Sequence, residues 1–213
     1  MDLSFKQYRT IDITIMAILL AISEAIATIA AAKWFPNQLF SVSTTLAVVC
    51  IVMMRWSGYA VVHAVVGACV YCLILGAPAP QFAIYCVGNC GMIIALVLFK
   101  IFGKEKVAKK PFLSVLFVLA AYCGAELGRW AMSLIIPIES QEATVSSPGA
   151  ALLAFITGDF VSLLFSLLAV LIARKMDGLF EDQHSYLLRV KEEERKEREA
   201  KEREENEQYY NLK

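Results

Sequence analysis

The stretch IDITIMAILLAISEAIATIAAAKW, residues 11–34, decides the fold class. At about 1.5 Å of rise per residue it is long enough to cross a bilayer core of about 30 Å as one helix. Its alanines at Ala17, Ala21 and Ala25 recur every fourth residue, so they stack on one helical flank. A shallow stripe of that kind lets another helix approach closely. Glu24 sits in the same stretch. A charge deep in a span costs roughly 2.5–3.5 kcal/mol on insertion scales and tends to mark function.

The rest of the chain belongs to the same class. It has 213 residues, is 58% hydrophobic, and concentrates its apolar residues in long runs, which points to an all-α polytopic membrane protein. The formal net charge of zero gives no argument for nucleic-acid binding, because the charges crowd into loops and the C-terminal tail. No small-residue cleavage signature follows the first run, so it is expected to be a retained span and not a signal peptide.

Six apolar runs follow one another: Ile11 to Trp34, Leu39 to Met54, Tyr59 to Leu75, Gln81 to Ile101, Phe112 to Ile136 and Ala150 to Ala173. They predict six transmembrane helices within residues 11–175, after a short N-terminus (1–10) and before a charged tail (176–213). Lysine and arginine set the orientation. Lys6, Arg9, Arg55, Lys100, Lys104, Lys106, Lys109, Lys110, Arg174 and Lys175 fall in alternate connections, whereas the opposite connections carry Lys33 as their one basic residue. Both termini are therefore expected to be cytoplasmic, in a cell membrane. The tail, from Arg189 to Glu207, spaces acidic and basic residues four apart, as in Glu194 and Arg198, which predicts a solvated cytoplasmic helix.

The six cysteines, Cys50, Cys69, Cys72, Cys86, Cys90 and Cys123, all lie in apolar runs and are expected to pack as small residues, not to hold metal. No cofactor site and no catalytic set is legible: there is no His-Glu-x-x-His, no Gly-x-Ser-x-Gly and no P-loop lysine. The chain is not expected to be an enzyme. His63 lies near the cytoplasmic end of its span and is expected to make an interhelical hydrogen bond.

Polar groups inside the spans carry what chemistry there is. Counted from the cytoplasmic ends, Glu24, Asn89, Glu126 and Asp159 each lie on the order of 20 Å into the membrane, so four helices present polar groups at one level. In the fifth span Tyr122, Glu126, Arg129, Trp130 and Ser133 share one face, while Gly124 and Gly128 form a small-residue face nearly opposite. One face packs and the other looks into something. Arg129 has two readings: it pairs with Glu126 or Asp159 for structural reasons alone, or that pairing borders a binding pocket. With Glu24, Glu126 and Asp159 ionised against Arg129, such a pocket is net acidic and favours a cationic or multiply hydrogen-bonding ligand. Trp34, Tyr85, Tyr122 and Trp130 would offer it ring contacts. Ser162 and Ser166 are weaker candidates, since serines in spans often bond their own backbone.

Six short spans with both ends inside, and Ala17-x-x-x-Ala21-x-x-x-Ala25 on the first, resemble the substrate-binding S component of an energy-coupling factor (ECF) transporter. The resemblance covers residues 9–175 in layout, with the alanine stripe as its sharp motif. It implies a small-molecule substrate, a vitamin or other micronutrient, bound near the outer surface. It also implies a transmembrane T component docked on Ala17, Ala21 and Ala25, two ATPase subunits behind it, and gates at residues 34–38, 76–80 and 137–149. Two alternatives remain open. A six-span scaffold resembling the cell-wall elongation protein MreD explains the size and stripe. An autonomous secondary transporter would use Glu126 or Asp159 as its proton carrier.

Overall fold

A computed structural model describes residues 4–36, 40–136 and 148–211. The first helix, α1 (Phe5–Trp34), begins at a capping box in which the Gln7 N–H donates to Ser4 Oγ and the Ser4 N–H to Gln7 Oε1. Leu20, Glu24, Thr28 and Ala31 are buried on one face. Ile15, Ile18, Ile22, Ile26 and Ile29 are exposed on the other, a surface that suits lipid and not water.

Helices α2 (Thr45–Trp56) and α3 (Ala60–Ile74) are joined by a short 3₁₀ turn, Ser57–Tyr59. Ser57 takes a φ of 53°, rare for a residue with a side chain, and the chain reverses there. A Cβ on Gly67 would lie 2.1 Å from Thr45 Oγ1, so the two helices touch where Thr45 faces Gly67. In one straight helix those residues would be about 33 Å apart. α2 is the most enclosed helix, buried from Thr45 to Trp56 save at Val48 and Ile51, and packed among α1, α3 and the later helices. α3 ends in a Schellman motif: Gly76 at φ 62° donates to Leu73 O, and Ala77 to Cys72 O. Pro78 then precedes α4 (Ala79–Asn89), so the proline- and glycine-rich stretch stops one helix and starts the next.

α4 continues as a 3₁₀ stretch, Cys90–Leu96, into α5 (Val97–Phe102). After the short α6 (Lys104–Lys109) comes α7 (Pro111–Ile135), which packs against α4, the 3₁₀ stretch and α2. Gly88 and Gly91 meet Gly124 and Gly128 here: a Cβ on Gly91 would fall 2.2 Å from the Gly124 carbonyl oxygen, and one on Gly128 would fall 2.2 Å from that of Gly88. The small-residue face of the fifth apolar run is thus a packing face. The last run is two helices, α8 (Pro148–Gly158) and α9 (Phe160–Ala173), bent by 46° at Asp159. α9 packs on α2 and α7.

By length and composition Phe5–Trp34, Ala79–Phe102 and Pro111–Ile135 could each cross a membrane, the bent pair at Asp159 is a further candidate, and the equally apolar residues 45–74 double back at Ser57. The described residues are all helix, turn and loop, with no strand among them. Two expected boundaries need correction. The second helix begins at Thr45, not near Leu39, because residues 40–44 are non-helical; the sixth run is broken, not continuous.

The end of the bundle that holds the basic loops also holds both termini of the helical domain. Arg55 forms an ion pair with Asp12 of α1 at 2.7 Å, and its Nη1 donates to the Gly178 carbonyl. Trp56 Nε1 donates to the same Asp12, Phe5 packs edge-on to His184, and Lys104 pairs with Asp182. From this junction α10 (Gln183–Asn211) leaves, with Asp182 accepting the Ser185 N–H at its start. Along α10 Glu194 and Arg198 approach to 3.6 Å, as do Arg195 and Glu199.

Candidate functional site

Glu24 organises the end of the bundle away from the termini. Its Oε2 accepts the backbone N–H groups of Thr44 (2.7 Å) and Thr45 (3.0 Å) and the Thr44 hydroxyl (2.9 Å). A carboxylate from α1 thus caps the N-terminus of α2, where unpaired N–H groups and the helix dipole both favour negative charge. Its other oxygen, Oε1, is buried without a partner.

α2 is 12 residues long, about 18 Å, too short for a bilayer core by itself. The non-helical residues 40–44 continue it. Irregular backbone at membrane depth is tolerated where it is enclosed by protein or lines a cavity, and this segment is tied to α8, Asp159 and α9. Ser41 N donates to the Gly158 carbonyl at 2.8 Å, Ser43 N to Ser162 Oγ at 2.9 Å, and Ser162 Oγ to the Ser41 carbonyl at 3.1 Å. The Ser41 hydroxyl donates to Asp159.

Asp159 sits at the break between α8 and α9, where its carboxylate also meets Arg129 Nη1. Arg129 Nη2 reaches Glu126 Oε1 at 2.7 Å, and the guanidinium carbon lies 5.1 Å from the centre of the Tyr85 ring. Tyr85 in turn stacks on Tyr71 of α3, with ring centres 5.4 Å apart. Both expected pairings of Arg129 form at once. Tyr122 donates its hydroxyl to the Ile156 carbonyl, tying α7 to α8.

These groups border two spaces that share part of their lining. The inner one is a cavity of about 30 Å³ bordered by Glu24, Asn89, Tyr122, Arg129 and Asp159, together with Ser41, Ser43 and Ser162. It is large enough to hold ordered water. The outer one, about 440 Å³, shares Ser41, Tyr71, Tyr85, Arg129 and Asp159 as its floor and has Phe35, Phe40, Leu75 and Phe155 in its walls. That volume lies within the usual range of small-molecule pockets, about 300–1,000 Å³.

Of the residues singled out from the sequence, Glu24, Asn89, Tyr85, Tyr122, Arg129 and Asp159 line the inner cavity, and Glu126 is buried behind Arg129. Trp34 is 73% exposed and Trp130 is half-buried; neither lines the two spaces. Ala17, Ala21 and Ala25 are half-buried on the flank of α1 between its packed face and its isoleucine face. His63 is buried and donates from Nε2 to the Ile13 carbonyl at 3.1 Å, an interhelical bond. Ser166 bonds its own helix, at the Ser162 carbonyl, but Ser162 reaches the 41–43 segment instead. No residue of the expected 76–80 gate lines either space, although the preceding Leu75 lines the outer one, and residues 37–38 and 137–147 of the other expected gates lie outside the described residues.

Sequence reasoning missed Ser41, Ser43, Thr44 and Tyr71. The signal for the first three was present as Ser41-Val-Ser-Thr-Thr45, a hydroxyl-rich run that favours capping over helix interior. Among the described residues no group of three or more His, Cys, Asp or Glu side chains could hold a metal ion. Comparison with protein-family models, with curated proteins and with solved structures found no match to this chain.

Proposed function

We propose that the chain is the substrate-binding subunit of a membrane uptake system, of the kind represented by the S component of an ECF transporter. The observation that carries this is a buried ion network, Glu126–Arg129–Asp159, at the floor of a 440 Å³ pocket with aromatic walls. A structural network can be enclosed on every side, but this one faces a space of ligand size. On this reading the chain crosses the membrane six times, as α1, residues 40–56, α3, α4–α5, α7 and α8–α9, and the hairpin at Ser57 supports counting α2 and α3 separately. Lys104, Lys109 and Arg174 lie with both termini at one end of the bundle, where Arg174 bonds the Lys109 carbonyl. By the positive-inside rule that end is cytoplasmic. The pocket then opens outward, as uptake of a vitamin or other micronutrient requires.

A binding subunit without its own ATPase needs an engine, and α1 is the surface offered to it. Its alanine flank and isoleucine face are the most exposed apolar surface of any long helix here, a place for a T component carrying two ATPase subunits. Reconstituted vesicles test this. The small molecule that purifies with the chain should bind without ATP and enter vesicles only when T component, ATPases and ATP are all present. Uptake by the chain alone, driven by a proton gradient and lost in Asp159→Asn, would establish a secondary transporter instead.

A further inference from the structure

The six cysteines do not pack alike. Cys50 and Cys72 are fully buried, and the Cys90 thiol donates to the Cys86 carbonyl of its own helix at 3.2 Å. Cys123 is exposed. Cys69 of α3 and Cys86 of α4 are each half-buried, and their Sγ atoms meet across the two helices at 3.5 Å. Both are free thiols.

The place of this pair separates it from core packing. Neither residue lines the inner or the outer space. Leu73, one turn beyond Cys69 on the same flank of α3, is 68% exposed, so the pair lies at the lipid-facing rim of the contact between α3 and α4. Cys69 precedes the end of α3 at Ile74, and Cys86 follows the start of α4 at Ala79, each by about one to two helical turns. On the orientation proposed above this is the outward half of the bundle, the side on which disulfides persist. A disulfide needs its sulfurs at about 2.05 Å, so these two must close by about 1.5 Å. The helices are already held together beside them: the Tyr71 ring, two residues from Cys69, stacks on that of Tyr85, the neighbour of Cys86.

We propose that Cys69 and Cys86 form a reversible dithiol–disulfide pair, oxidised by thiol–disulfide exchange with a small apolar disulfide that reaches them through the bilayer. One thiol gives up its proton, attacks a sulfur of that disulfide and forms a mixed disulfide, releasing one half of the reagent as a thiol. The second protein thiol then attacks the mixed bond, joins Cys69 to Cys86 and releases the other half. Both protein hydrogens leave on the two released thiols, so the exchange needs no further oxidant. The closed bond pins α3 to α4 next to the tyrosines that line the outer pocket, and a dithiol reductant reopens it.

Dithiodipyridine, an apolar disulfide, is the probe, added to the full chain in lipid nanodiscs. Remaining thiols are then blocked with N-ethylmaleimide and the cysteines mapped by peptide mass spectrometry. Cys69 and Cys86 should emerge joined to each other and free of pyridylthio groups. In Cys86→Ser the mixed disulfide has no resolving thiol, so Cys69 should keep its pyridylthio group at about tenfold the wild-type occupancy or more; Cys69→Ser should do the same for Cys86. The wild-type map decides alone should a variant fail to fold. Pyridylthio groups retained on Cys69 or Cys86 of the wild-type chain, a bond from either to Cys72 or Cys90 instead, or no reaction at the two residues would overturn the pair. Dithiothreitol should return both thiols to maleimide labelling, and a bond that it leaves closed would overturn the reversibility.

Discussion

Replacing Arg129 with methionine should be the most damaging single change in the membrane domain. The Arg129 side chain is 6% exposed, Glu126 1% and Asp159 14%, so its removal strands two carboxylates away from water. Breaking a buried ion pair from one side costs about 3–5 kcal/mol, because the remaining charge keeps its desolvation penalty and loses its partner. Here two partners are stranded, which places Arg129→Met at the upper end. The compensated variant, Arg129→Met with Glu126→Gln and Asp159→Asn, removes the charges together and should recover all but about 1–2 kcal/mol. Equilibrium unfolding in mixed detergent micelles measures both. A loss below about 1 kcal/mol in Arg129→Met, within the range of exposed pairs, would refute a buried network; so would a triple variant no more stable than the single one.

Three other perturbations probe separate parts of the fold. Gly91→Ala drives a methyl toward the Gly124 carbonyl oxygen, where a Cβ would sit at 2.2 Å, and should cost about 1–3 kcal/mol as the helices separate; the same unfolding assay would show no change if α4 and α7 do not meet there. Glu24→Leu uncaps α2 and should cost about 0.5–2 kcal/mol, with faster amide exchange confined to Thr44, Thr45 and the first turn of α2; exchange unchanged at these amides would contradict the cap. At the tail junction burial raises the Asp182 carboxyl, but the Lys104 ammonium and the Ser185 N–H and hydroxyl outweigh it and hold it below its ordinary 3.8. A depressed carboxylate contributes stability that is complete above the unfolded value and lost as pH falls through the folded one. Anchoring of α10 should therefore be constant from pH 7 to 5 and weaken below about pH 4, followed as protease accessibility near Gln183; weakening already at pH 6 would implicate another group.

The periodic features of the chain were legible and the interruptions were not. Apolar runs placed α3, α4–α5 and α7 within about two residues and the end of α1 at Trp34, though α1 starts six residues early at Phe5, and the glycines at Gly124 and Gly128 announced a packing face because only missing side chains permit so close an approach. Depth counting brought Glu24, Asn89 and Asp159 to one cavity, since rise per residue is fixed in a helix. It could not foresee that α2 starts late, at Thr45, because Leu39, Phe40 and Val42 read as apolar span whatever their backbone conformation. For the same reason the partner of Glu24 was not legible. Its partner is neither lipid nor another span's side chain but the backbone N–H groups that a late helix start exposes. Trp34 illustrates the opposite error: an aromatic residue at the end of α1, placed on the outside.

Native mass spectrometry of the intact chain released from nanodiscs addresses the binding role most directly. The wild-type chain should carry one small molecule of defined mass, and Asp159→Asn, which loosens Arg129 and the 40–44 segment together, should carry it at a tenth of that occupancy or less. A wild-type chain that carries no such molecule, or equal occupancy in the two proteins, would contradict a substrate-binding subunit with its pocket at Arg129 and Asp159.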